Sequence, residues 1–130
     1  MRELPCSWAV LRVVPHPHTG AGTPVGVVLQ CRPALYVGLR ALTDPDRLRR
    51  IAPDVDVALL ARYLRSCEAI ARGRKDAGPI ALLSPPERFH WLSSPRSDVL
   101  QPGPTEYGSA TDPAERLETL FRERVEDAGT

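Results

Sequence analysis

The spacing of apolar and polar positions changes period near Thr43. Ahead of it the runs are short, β-branched and bounded by proline or glycine, the pattern of strands. Residues 8–14 (WAVLRVV) predict a buried strand between Pro5 and Pro15. The stretch HPHTGAGTP has no apolar period and predicts a turn or loop. Residues 25–30 (VGVVLQ) give a second strand, with Gly26 marking a bulge or a close backbone approach. A turn at Arg32-Pro33 leads to a third strand over 35–39. The connections are too short for crossover helices, so the three strands form an antiparallel meander.

Beyond Thr43 the period becomes helical. Asp44 and Pro45 supply a cap and a first-turn proline for a short helix that Pro53 stops. Asp54 is the expected cap of a second helix reaching about Ala71, where Val57, Leu60, Ala61, Leu64 and Ala71 share one face and Gly73 follows the end. Arg62, Arg65 and Arg72 fall on the other side, as a solvated face would. Residues 80–83 are read as a short strand. The last helix starts at Asp112-Pro113 with Glu115 placed for a capping box, and carries Leu117, Leu120, Phe121 and Val125 in one stripe. Glu118 and Arg122 are expected to pair along its surface. Strands first and helices after predict an α+β domain: a small antiparallel sheet with helices packed on one face. One domain is expected over 1–130, with its ordered core at about 7–125.

Between the two clear helices, residues 83–111 (LSPPERFHWLSSPRSDVLQPGPTEYGSAT) keep neither period for long. They read as a long loop with edge strands at 89–92 and 99–101, and loops of that length are usually functional. Arg88, His90, Trp91, Arg96 and Glu106 are the candidate binding surface. An arginine fork beside an indole can clamp a carboxylate or phosphate, stack on a base or anchor a partner. Arg96 is the favoured anchor, stiffened by Pro95 and close to Trp91 and Asp98. The plainer alternative has Phe89 and Trp91 alternating into the core while the arginines pair with Glu87 and Asp98.

Other chemistry is thin. His16, His18 and His90 lack the companion cysteines or carboxylates of a metal site. Ser84, Ser93, Ser94 and Ser97 lie near His90 and Asp98 in sequence, without a nucleophile elbow. Gly20-Ala21-Gly22 has no phosphate-loop ending. No catalytic residue, metal or cofactor is assigned. A net charge of +1 and 5% aromatic residues make nucleic-acid binding the least favoured class. Three widely spaced cysteines and no apolar span predict a cytoplasmic protein with free thiols and no membrane segment.

Read together, Trp8 to Arg12, Val25 to Val28, Glu87 to Leu92, Pro95-Arg96-Ser97 and Gln101 to Pro104 resemble a bacterial family, domain of unknown function 3037, in its actinobacterial and Deinococcus-like form. The resemblance spans nearly the whole chain. It implies no established activity, and it implies a HipA-like kinase as a partner. Two positions depart from the family pattern. Ala21 and Pro24 stand where an acidic residue and then Asn are usual, and Glu106 stands where His is usual. An activity built on those polar positions would be altered or lost in this chain. The favoured class is a non-enzymatic interaction or adaptor domain. A small-molecule or phosphoryl-handling enzyme with its site in 83–111 stays open beside it. A concave pocket of converging polar side chains would favour the second, a flatter apolar patch the first.

Overall fold

A computed structural model describes residues 2–14, 22–95 and 99–127. The N-terminal third folds as the expected meander: β1 (Leu4–Val13), β2 (Thr23–Cys31) and β3 (Tyr36–Ala41), all antiparallel. A register shift falls opposite Leu11 and Arg12, where Val25 is the extra residue beside Gly26, so the bulge lies where that glycine marked it.

After β3 come α1 (Pro45–Ile51), α2 (Val57–Ala71) and α3 (Pro85–Leu92). Asp44 caps α1 by accepting from the Asp46 N–H at 3.1 Å. The cap of α2 is Asp56 and not Asp54, since its carboxylate accepts from the Leu59 N–H at 3.1 Å. Gly73, at φ +72°, turns the chain out of α2 in a conformation that costs glycine little. Residues 80–83 are not a strand: Pro79–Leu82 form a 3-10 turn, whose proline start favours a helical turn over pairing.

The chain then returns to the sheet. β4 (Leu100–Pro102) and β5 (Glu106–Ala110) both pair with the same edge of β1. Leu11 faces Pro102 and Trp8 faces Glu106, so two residues of β1 oppose three at 103–105. The pair is in effect one edge strand interrupted by the Pro102-Gly103-Pro104 step, where the Gly103 N–H donates to the Val10 carbonyl at 2.8 Å. The order across the sheet is β3-β2-β1-β4, with β5 beside the N-terminal half of β1.

The α+β class holds, and the helices cover both faces of the sheet, not one. Neighbouring residues of β1 point to opposite sides. Ser7 and Leu11 face α3 and the Tyr63–Cys67 side of α2. Trp8 faces α4 (Pro113–Phe121), where the Arg116 guanidinium sits 5.3 Å from the indole centre. This explains the apolar runs at 8–11 in β1 and 25–29 in β2, because strand segments buried on both faces need little polar surface.

α4 starts as expected, with Asp112 accepting from the Ala114 and Glu115 N–H groups and Leu117, Leu120 and Phe121 buried; it ends at Phe121, and Val125 is buried from a π-helical turn over Arg122–Glu126. Fully buried, each is worth roughly 1.5–3 kcal/mol. Glu118 does not pair with Arg122. It reaches Arg40 on β3 at 3.3 Å, whose guanidinium also lies 4.4 Å from the Phe121 ring centre.

Candidate functional site

The segment 83–111 is more regular than a long loop. Ser84-Pro85-Pro86-Glu87 is a helix start, and 89–92 form the second half of α3 rather than an edge strand. The Ser84 hydroxyl donates to the Glu87 carboxylate at 2.7 Å, and two prolines fix the first turn. Only the strand expected at 99–101 forms close to its place, as β4.

On a helix, successive side chains point about 100° apart, so Arg88, His90 and Trp91 are sent three ways. Arg88 turns back along α3 and donates to the Leu83 carbonyl at 2.6 Å, beside Gly73. Trp91 packs half-buried near Tyr63, Leu92 and Leu11. His90 looks into a cleft. Glu106 lies on the opposite face of the sheet, in a two-point ion pair with Arg124 at 2.8 and 3.0 Å. Arg96, with Ser97 and Asp98, is outside the described residues, as are His16, His18 and Ala21. The described candidates therefore do not converge on one surface.

What does converge is a cleft of about 410 Å³ between α3, the N-terminal half of β1, the end of β2 and the start of β5. Its floor is the cross-strand pair Ser7 and Gln30, both buried, with the Gln30 amide donating to the Ser7 hydroxyl at 3.1 Å. The other side of that amide, its Oε1, has no partner. Phe89 and Pro86 form one wall, and Arg32, His90 and Tyr107 stand at the rim. The lining holds an arginine and a histidine but no carboxylate. Ser93 and Ser94 are not poised as nucleophiles: their hydroxyls donate back to the Phe89 and His90 carbonyls, the local bond expected of serine at the end of a helix.

Sequence reasoning passed over Ser7, Gln30 and Arg32 because they belong to the meander. A signal was present: Ser7 and Gln30 are polar positions inside otherwise apolar strands, and a buried polar residue is the informative exception.

On the other face, Glu106 is held below the ordinary carboxylate range. Hydrogen bonds from Arg124 are the main cause; the charges of Arg124 and Arg12 add to it, and burial opposes it. The Trp8 indole N–H makes no hydrogen bond of ordinary geometry, yet it lies near enough to favour the ionised carboxylate. Burial pushes the Cys67 thiol up to about 11. No group of three or more His, Cys, Asp or Glu able to hold a metal occurs among the described residues. Nor does any described helix have the length and apolarity to cross a membrane.

These features define a small α+β domain whose sheet is covered by helices on both faces, with a polar-floored cleft on the α3 side. The chain belongs to the family described as protein of unknown function (DUF3037), whose model matches residues 8–125. No curated protein and no solved structure matches it.

Proposed function

We propose that this domain, 1–130 as a unit, is a recognition module that binds a small anionic, hydrogen-bonding molecule in the α3 cleft. One observation carries the reading: the Gln30 amide is buried at the cleft floor with one side unpaired. A buried polar group without a partner costs roughly 1–3 kcal/mol, and a ligand that pairs with it recovers that cost on binding. The volume lies within the range of small-molecule sites, and the Arg32 and His90 rim without a carboxylate favours an anion. Thermal-shift screening of the purified chain with anionic metabolites and their neutral analogues tests this. Hits should prefer the anions, vanish in Gln30→Met and weaken in Arg32→Ala. Hits that survive both substitutions, or none at all, would refute it.

A second reading, the adaptor, is favoured by a separate patch. Leu59 and Tyr63 are exposed one turn apart on α2, and Tyr63 adjoins Trp91. A cytoplasmic setting in a bacterium and the HipA-like kinase implied by family resemblance belong to this reading. Leu59→Lys should abolish capture of such a kinase while leaving cleft binding intact.

A further inference from the structure

Ser7 pairs with Gln30 across β1 and β2, so the next pair outward on the antiparallel ladder is Cys6 with Cys31. The kind of pair matters. The Val10 carbonyl accepts from Gly103, which shows that even-numbered residues of β1 turn their backbone groups away from β2. Cys6 and Cys31 therefore occupy a non-hydrogen-bonded site. Opposed Cα atoms there approach to about 4.5 Å and side chains come closest. That separation lies inside the Cα range spanned by disulfides, about 4.4–6.8 Å. Both thiols are free and buried, and they lie close enough for Cys31 to influence the ionisation of Cys6.

From this register we propose that Cys6 and Cys31 are a covalent modification site: a cross-strand dithiol that a small-molecule disulfide converts to an intrachain disulfide. Access is through Cys6, which keeps 5% exposure on the Trp8 face of the sheet beside Arg116, whereas Cys31 is fully buried. Arg116, stacked over Trp8, is the cation that favours a Cys6 thiolate. Burial opposes it and pushes this thiol up to about 11, so the reaction is slow at neutral pH. The Cys6 thiolate attacks one sulfur of the reagent, whose S–S bond breaks and releases one thiolate. Cys31, losing its proton to that thiolate or to water, attacks the Cys6 sulfur of the mixed disulfide and displaces the second thiolate. Two electrons pass from the protein pair to the reagent. The new bond would tie the strand ends beside Ser7 and Gln30, independently of what the cleft binds.

The test is to incubate the full chain with oxidised glutathione, quench in acid, unfold, alkylate and map the peptides without reduction. The expected product links the Cys6 and Cys31 peptides, leaves Cys67 alkylated, and forms at a rate independent of protein concentration. Cys67→Ala should give the same linkage, and Cys31→Ser should stop at a glutathione cap on Cys6. Three alkylated cysteines after prolonged exposure would overturn the proposal, as would a linkage through Cys67 or between two chains. If Cys31→Ser does not fold, the wild-type map decides alone.

Discussion

The two faces of the sheet differ although the same strands build both. On the α4 face, Trp8, Leu29 and Val27 lie on the side of Leu117 and Phe121, with the ion pairs Arg40–Glu118 and Arg124–Glu106 at its edges and a cleft of about 470 Å³ at the β3 edge between Tyr36, Gly38, Arg40 and Leu117. On the α3 face the strands carry Ser7 and Gln30 in the same rows, and the helix stands off far enough to leave a cleft. Moving one residue along β1, from Ser7 to Trp8, passes from a polar floor to the largest side chain of the apolar α4 face. Stability and recognition are thus divided by the two-residue period of a strand, and substitutions on the two faces should fail in different ways.

The largest effect should come from Trp8→Ala, which removes the largest buried side chain of the α4 face. A loss of about 3–5 kcal/mol is expected, enough to unfold a marginal domain. Urea denaturation measures it, and a loss below about 1 kcal/mol would mean the faces do not differ as described. Gly38→Ala comes next. A methyl there would run into the Tyr36 hydroxyl and lie 2.8 Å from Leu117 Cδ2, so about 1–3 kcal/mol should be lost by overpacking the same face.

Glu106→Gln should cost less, about 1 kcal/mol, because both partners of its ion pair are roughly a third exposed and screened. Its pH dependence gives the sharper reading. A carboxyl held below its ordinary value stabilises the fold above that value, and the contribution is lost as pH falls through the depressed one. Wild type and Glu106→Gln should therefore differ at neutral pH and converge in acid. A difference that persists at low pH would mean the side chain acts by packing alone. Gln30→Met should change stability least, by about 1 kcal/mol or less, since it removes one hydrogen bond while filling similar volume. A large loss on this face would make the cleft floor structural and remove the distinction between the faces.

Much of this was written locally. Asp44-Pro45 and Asp112-Pro113 declare their helices because the cap bond and the first-turn proline need only neighbours. The meander is legible because its turns are short. Ser84-Pro85-Pro86-Glu87 carries the same kind of signal, but the alternation of Phe89 and Trp91 masks it and suggests a strand. The apolar runs at 8–11 and 25–29 carry the signal that both sheet faces are covered, although the change of period near Thr43 suggests one.

What the chain order could not state is which helix covers which face, because that depends on contacts between residues far apart in sequence. Glu118 looks like a partner for Arg122 until β3 brings Arg40 beside it. Arg88, His90 and Trp91 look like one cluster until a helix sends them three ways. The cleft, and the meeting of Cys6 with Cys31, exist only after β1, β2 and β5 set their register against α3. Capping and turn chemistry act over a few residues and can be read in order, whereas register and face are settled by burial of the whole sheet at once.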